Sequence, residues 1–264
     1  MSVKNNHDDR GYAERLAAAK IPVIIGPTGS GKTGLSIEVA LELERRGIFD
    51  GCEIISADSR AIYKGMDIGT AKPTREEMRG VPHWGIDLVG PNERFTVADF
   101  KEYAEQKIKE IIQRGHLPII AGGTGLYIDA LIFNYSFSEK AKKSYSDRDE
   151  MSAQFLVFGI DWPRDELRQR LALREKQFFD MPIEEECTKM AELYGWDCQA
   201  MKSNIYPIVQ RMIDGEISRE EAIGLAVIDD WHLAKRQLTW FKRNPNITWL
   251  PLNEAKEHIL NTYA

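Results

Sequence analysis

The segment Gly26-Pro27-Thr28-Gly29-Ser30-Gly31-Lys32-Thr33 fits the pattern G-x-x-x-x-G-K-[ST] and lies between an apolar run and a helical pattern. Glycines at this spacing let backbone N–H groups curl around phosphate oxygens, and the following helix directs its positive end at the same anion. Lys32 adds a positive charge, and the hydroxyl of Thr33 can hold Mg²⁺. The motif predicts a phosphate site, but it leaves open whether the ligand is a nucleoside triphosphate or another molecule's diphosphate.

Asp58 follows a second apolar run, residues 53–57. In open α/β sheets, ligands bind beyond the carboxyl ends of the strands, so Asp58 is expected near the phosphate site. It could bind Mg²⁺ or act as a base, and the alternative is an aspartate that only caps a turn. The polar, glycine-containing stretch after it is a candidate substrate loop, with Lys64, Asp67, Thr70 and Lys72 as its polar candidates.

A second glycine-rich turn, residues 121–125, follows a third apolar run and suits an anion or a developing oxyanion. Near the C-terminus, residues 234–243 have helical spacing with a basic edge of Lys235, Arg236, Lys242 and Arg243. That edge could contact RNA backbone or diphosphate, or be a solvated face. For a second basic helix, formed by Arg164, Arg168, Arg170, Arg174 and Lys176, we expect a solvated face.

The elements that must position these groups alternate between strand and helix. Strands are predicted at 21–25, 52–56, 117–121, 155–161 and 247–250, and helices at 11–20, 32–46, 97–114 and 125–133. This order predicts an α/β fold, a P-loop NTPase-like parallel sheet flanked by helices with a helical C-terminal extension. We divide the chain into an N-terminal extension (1–20), the first part of the P-loop core (21–135), a polar linker or flap (136–152), and the last core strands with the helical part (153–264).

Composition narrows the functional class. The 264 residues are 43% hydrophobic and 29% charged, with a net charge of −6 that counts against a very broad RNA footprint. Three cysteines form neither a disulfide framework nor a zinc motif, and no apolar run reaches the roughly 18 residues of a membrane span. The first twenty residues lack a secretory signal. We therefore expect a cytoplasmic protein without membrane contact, and a monomer.

Taken together, these segments resemble the tRNA dimethylallyltransferases, also called tRNA isopentenyltransferases. The resemblance is carried by GPTGSGKT at 26–33, SADSRAIYKGMDIGTAKPT at 56–74, VPHWGIDLVGPNERFTVADF at 81–100, AGGTGLYIDAL at 121–131 and AKRQLTWFKR at 234–243. It implies dimethylallyl diphosphate as donor, Mg²⁺ as metal, and N6 of adenosine 37 in tRNA as acceptor.

The resemblance also implies roles for individual residues. Asp58 would take the proton from N6, with Thr124 and Lys32 beside the reacting groups. The diphosphate would be bound by Gly26, Thr28, Gly29, Ser30, Gly31, Lys32 and Thr33, and the metal by Thr33. Further substrate contacts would come from Ser59, Arg60, Asp67, Thr70, Lys72, Gly122, Gly123, Lys235, Arg236 and Gln237.

Four departures from the family pattern stand out. Ala61 replaces a glutamine, Trp231 an arginine, and Trp84 the second histidine of a pair; an inserted helical domain is missing, with residues 136–152 where it would begin. These departures leave three explanations open: the chain modifies tRNA with a smaller footprint, modifies free adenine nucleotides, or binds its ligands without turnover. Without the resemblance, the same motifs suit a small-molecule or nucleotide kinase.

Overall fold

The computed structural model describes residues 8–137, 150–203 and 205–264. Its strands are β1 (Ile21–Ile25), β2 (Cys52–Ser56), β3 (His83–Trp84), β4 (Leu117–Gly122), β5 (Phe155–Asp161) and β6 (Thr248–Pro251). Its helices are α1 (Asp8–Ala18), α2 (Lys32–Arg45), α3 (Val97–Gln113), α4 (Gly125–Ile132), α5 (Arg164–Asp180), α6 (Ile183–Tyr194), α7 (Tyr206–Ile213), α8 (Arg219–Phe241) and α9 (Leu252–Asn261).

The six strands form one parallel sheet in the order β3-β2-β4-β1-β5-β6. Every residue of β1 and β4 is buried, as expected for central parallel strands that helices cover on both faces. The predicted α/β fold is confirmed, and five predicted strands are present within one residue of their predicted bounds. The two-residue edge strand β3 was not predicted, because two residues carry no usable periodicity.

Each face of the sheet has its own apolar layer. On one face α1, α2 and α9 pack against Ile24, Ile54 and Ile119. On the other, α3, α4 and the end of α8 pack against side chains that alternate with those, such as Val23 and Ile55. The sheet is thereby fixed on both sides, and the turns at its carboxyl edge rest on a rigid base.

A third apolar cluster lies beyond this edge. It joins α6, α7 and the first half of α8 to Ile62, Tyr63 and Met66 of the loop that follows Asp58. We call this group of helices the helical lobe. Because the loop contributes to the lobe's core, the helical part of the chain is packed directly on the predicted substrate loop.

Local signals placed several helix ends correctly. Thr96 caps α3, accepting a hydrogen bond from the backbone N–H of Asp99, whose carboxylate bonds back to Thr96 N–H. Gly115 follows directly after that helix with φ 82°. Most of the polar linker predicted at 136–152 lies outside the described residues. Among those that are described, no helix has the length and apolar character that crossing a membrane requires.

Candidate active site

Three turns at the carboxyl edge of the sheet lie side by side. The P-loop follows β1, the second glycine turn follows β4, and the loop of Asp58 follows β2. Because β4 pairs with both β1 and β2, the second glycine turn stands between the P-loop and Asp58. The predicted phosphate site and the predicted base therefore share one edge of the sheet, as parallel topology requires.

The P-loop has the backbone shape of an anion cradle. Gly29 and Gly31 have φ values of 74° and 85°, which residues with a Cβ atom rarely adopt. The half-buried ammonium of Lys32 lies 3.4 Å from the carbonyl oxygen of Pro27. Burial and the nearby charge of Arg174 lower the pKa of Lys32 to about 8, although the Asp58 carboxylate acts to raise it. The cradle thus holds a cation that an incoming phosphate would stabilise.

Helix α5 supports the P-loop from outside. The Arg170 Nε–H donates to the carbonyl of Gly29 (3.0 Å), and an Arg174 Nη1–H donates to Thr28 Oγ1 (2.9 Å). The expectation that this basic helix is a solvated face is therefore wrong for Arg174, whose side chain is 22% exposed, whereas Arg170 remains exposed while it contacts the P-loop. Leu167 and Leu171, one helical turn apart, are buried beside them and turn this side of α5 inward.

Thr124 ties the second glycine turn to the loop of Asp58. Its Oγ1 accepts a hydrogen bond from the backbone N–H of Ser59 (2.9 Å), and its own N–H donates to the carbonyl of Ala57. Asp58 Oδ1 accepts from the N–H of Arg60 (2.8 Å). Within the described residues Asp58 Oδ2 accepts no hydrogen bond, which leaves it available to a substrate proton.

Gln237 of α8 reaches both glycine turns. Its Oε1 accepts from the backbone N–H of Thr28 (2.7 Å), and its Nε2 donates to the carbonyl of Gly123 (3.0 Å). One turn further along, Trp240 Nε1 donates to Asp129 of α4 (2.9 Å). Helix α8 therefore lies across the turns that follow β1 and β4 and covers the site on that side.

These elements enclose a cavity of about 520 Å³. Its charged lining residues are Lys32, Asp58, Arg60, Arg174, Glu175, Asp229, Asp230 and Arg236. Its apolar lining residues include Leu126, Phe178, Ile205, Ile208, Ala226 and Leu233, four of them contributed by the helical lobe and α5. A cavity with a cationic cradle at one end and an apolar wall beside it has room for a phosphorylated ligand with a small apolar group.

Comparison with known proteins decides the family. Residues 61–153 and 134–244 match the family model described as IPP transferase. A tRNA dimethylallyltransferase of Bacillus thuringiensis is 32% identical over 309 aligned residues, which cover 95% of this chain and 93% of the relative. The chain belongs to the tRNA dimethylallyltransferase family.

Solved structures agree. The tRNA isopentenylpyrophosphate transferase of Bacillus halodurans superposes with a TM-score of 0.79 at 31% identity, covering 92% of this chain and 95% of that one. The corresponding enzyme of Staphylococcus epidermidis gives 0.78 at 32% identity, with 92% and 99% coverage. The alignment with the B. thuringiensis protein is longer than this 264-residue chain, so that family member carries stretches without a counterpart here. Where those stretches would begin stays a prediction.

The departures from the family pattern have definite places. Trp231 packs against Leu167, Leu171 and Ala234 between α5 and α8, rather than lining the cavity. Arg174 lines the cavity and forms an ion pair with Asp230. Arg174 is therefore a cation of the site that the sequence motifs did not single out. The available sequence signal was its position one helical turn after Arg170, on the side of α5 that carries Leu167 and Leu171.

The predicted substrate contacts divide into two groups. Ser59, Arg60, Thr70, Gly123, Arg236 and Gln237 line the cavity, whereas Asp67, Lys72, Gly122 and Lys235 do not. Lys72 is buried instead, with Nζ 2.6 Å from carboxylate oxygens of both Asp67 and Asp87. These ion pairs hold the loop in shape, so the structure gives Lys72 and Asp67 an internal role within the loop.

Glu186 of α6 was not predicted, and it fixes the same loop. Its carboxylate accepts hydrogen bonds from the backbone N–H groups of Asp67, Ile68 and Gly69 at 2.8–3.0 Å, and from the hydroxyl of Tyr206 at 2.8 Å. Since Gly69 and Thr70 line the cavity, α6 sets the position of that wall. No local sequence signal marks Glu186, because its partners in the loop lie 117–119 positions earlier in the chain.

Proposed function

We propose that the chain transfers a dimethylallyl group from dimethylallyl diphosphate to N6 of adenosine 37 in tRNA and releases diphosphate. The observation that carries this proposal is one cavity in which a P-loop, a strand-end aspartate and an apolar wall meet. Membership of the tRNA dimethylallyltransferase family supports the same donor and acceptor. The proposal puts the enzyme in the cytoplasm beside its tRNA substrate, as a monomer.

The P-loop would bind the donor's diphosphate. Thr28 and Lys32 both line the cavity, and the guanidinium of Arg174 donates to the Thr28 hydroxyl. As the bond between C1 of the prenyl group and the diphosphate oxygen breaks, negative charge grows on the leaving group, and fixed donors stabilise it most at that stage. The apolar side chains of Ile205 and Ile208 would receive the five-carbon group.

Oxygen donors suited to Mg²⁺ are present beside the cradle. Thr33 offers a hydroxyl and Asp58 a carboxylate, and Mg²⁺ in proteins takes few protein ligands and completes its shell with phosphate oxygens and water. Within the described residues no three His, Cys, Asp or Glu side chains group to hold a metal by themselves, which fits an ion that arrives with the donor. Mg²⁺ would supply further charge neutralisation of the leaving diphosphate.

Asp58 would act as the base on the acceptor. The N6 nitrogen attacks C1 of the prenyl group, the C1–oxygen bond breaks, and Asp58 removes a proton from N6 so that a neutral secondary amine remains. The target base must leave its stack to enter such a cavity. Arg236 of α8 lines the cavity and is exposed, Lys235 beside it is also exposed, and both would meet the RNA backbone.

The test uses the purified protein with Mg²⁺ and dimethylallyl diphosphate, given unmodified tRNA in one reaction and AMP in another. N6-prenyl adenosine detected by mass spectrometry on tRNA alone supports the proposal. Product on AMP alone would reassign the chain to free nucleotides, and product on neither, beside an active control enzyme, would refute transferase activity. We expect Asp58→Asn, which keeps the size of the side chain but removes its basicity, to lower kcat by about 10²–10⁴-fold.

A further inference from the structure

The three turns of the site must keep fixed distances from one another. The donor's diphosphate belongs to the P-loop and the proton to Asp58, and the second glycine turn stands between them. Transfer needs the attacking nitrogen within van der Waals distance of C1 and in line with the leaving oxygen, so an error of about 1 Å in this separation costs about 10²-fold in rate. The sheet fixes the strand ends, but the turns extend beyond it.

Two side chains connect the turns across these gaps. Thr124 spans from the middle turn to the Asp58 loop through its hydrogen bond with the Ser59 N–H. Gln237 spans from the middle turn to the P-loop, through Gly123 on one side and Thr28 on the other. Only a side chain with both an acceptor and a donor can make both Gln237 bonds, and a carboxamide has both.

The packing around Gln237 leaves it little freedom. A Cβ atom on Gly123 would lie 2.5 Å from Gln237 Nε2, so the side chain is in close contact with the middle turn. The helix that carries Gln237 is held by the buried Phe241 and by the bond from Trp240 to Asp129. Gln237 is thus attached to a fixed helix at one end and to two catalytic turns at the other.

We propose that Gln237 is a positioning residue that sets the separation between the diphosphate cradle and Asp58. Its carboxamide is engaged on both sides by the protein backbone, so it orders the site rather than contacting the substrate. The inference rests on the proposed function for its kinetic consequence, while the bridge itself can be measured without any substrate.

Two substitutions at position 237 distinguish the hydrogen bond to Thr28 from the hydrogen bond to Gly123. Gln237→Met keeps the length of the side chain and removes both bonds. Gln237→Glu, when ionised, still accepts from the Thr28 N–H but repels the Gly123 carbonyl. The control is His232→Gln, on an exposed face of the same helix.

The measurements are steady-state prenyl transfer to tRNA and amide hydrogen exchange of the peptide that covers residues 26–33. For Gln237→Met we expect kcat to fall about 10–100-fold, KM for dimethylallyl diphosphate to change less than about threefold, and exchange in the P-loop peptide to become faster. Gln237→Glu should lower kcat while leaving that peptide protected. The control should match the wild type in both measurements.

Wild-type kcat together with unchanged exchange in Gln237→Met would overturn the inference. A variant in which KM rises with kcat unchanged would also overturn it, since that pattern belongs to a substrate contact. If the wild-type protein transfers no prenyl group, the proposed function fails. The exchange rates of the P-loop peptide then still decide whether the bridge exists.

Discussion

Two glycine-rich turns, residues 26–31 and 122–125, precede helices at the same edge of the sheet and look alike in sequence. In the P-loop, Gly29 and Gly31 have positive φ, so glycine is needed there for its backbone conformation. In the second turn no glycine has positive φ, and glycine is needed because neighbouring atoms leave no room for a Cβ atom. A Cβ atom would lie 2.3 Å from the Ala57 carbonyl at Gly122 and 2.2 Å from the Trp240 ring at Gly125.

The glycines of the two turns therefore have different structural roles. In the P-loop, glycine permits the positive φ values that curl the backbone into a cradle. The second turn uses glycine to let three neighbours, the Asp58 loop, Gln237 and Trp240, approach its backbone. From its sequence the second turn suits an anion or a developing oxyanion, and this stays a prediction. Its packing also makes it the point where the parts of the site are joined.

The strongest test of the comparison is Gly122→Ala. The new methyl group would meet backbone atoms of Ala57 rather than a flexible side chain, so two central loops would have to move apart. We expect a loss of about 3 kcal/mol or more in the free energy of unfolding, measured by urea denaturation. A variant as stable as the wild type would show that the second turn is not tightly packed.

The P-loop also differs from the second turn in charge, because Lys32 follows directly after it. Its pKa of about 8 lies below the ordinary value because of burial, and a bound diphosphate would raise it. Above pH 8, donor binding must therefore take up a proton, and affinity for dimethylallyl diphosphate should fall by up to about tenfold per pH unit. Calorimetry between pH 7 and 9.5 measures this. Lys32→Arg, which stays charged, should show a flatter profile, and equal slopes would contradict the assignment.

The conformational demand of the P-loop is tested by Gly31→Ala against a matched control, Gly47→Ala. Both glycines have positive φ, 85° and 67°, but nothing lies within 4 Å of a Cβ atom at Gly47, just beyond α2. Each substitution should cost about 1–2 kcal/mol through backbone strain. Only Gly31→Ala should also weaken donor binding, by about tenfold, and a similar loss for Gly47→Ala would remove the distinction.

The smallest effect is expected at Gly34, in the first turn of α2. It has no positive φ and no neighbour within 4 Å of a Cβ atom. Gly34→Ala should therefore stabilise the protein by about 0.5–1 kcal/mol, because alanine loses less backbone entropy in a helix. Weaker binding of dimethylallyl diphosphate in this variant would mean that the ligand approaches the backbone there, beyond the two turns compared above.

How far the sequence could predict the molecule follows from the range of each interaction. The bounds of β1, β2 and β5 and the start of α3 at Val97 rest on neighbouring residues, and they were predicted correctly. The inward side of α5 was not, because its partner, the P-loop, lies 141 or more positions earlier in the chain. Local patterns show that a helix has two faces, but not which distant turn one of them will meet.

The candidate site follows the same rule. The motifs correctly brought Lys32, Asp58 and Thr124 to one edge, because parallel topology dictates it. They missed Glu186 and Asp230, whose functions depend on the packing of the helical lobe against the sheet. Gln237 was predicted as a substrate contact, and only its two backbone partners reveal the bridge.

The two hydrogen bonds made by Gln237 also bear on when the site is completed during synthesis of the chain. Thr28 and Gln237 are 209 positions apart. A ribosome adding about 5–20 residues per second needs roughly 10–40 s to pass from one to the other. Once residue 125 has been added, the nascent chain carries the phosphate motif, the aspartate and both glycine turns, but the tie between the turns arrives only with Gln237. Catalytic competence should therefore arrive abruptly and late in synthesis, and a product cut short within α8 would be expected to hold the donor without placing it correctly.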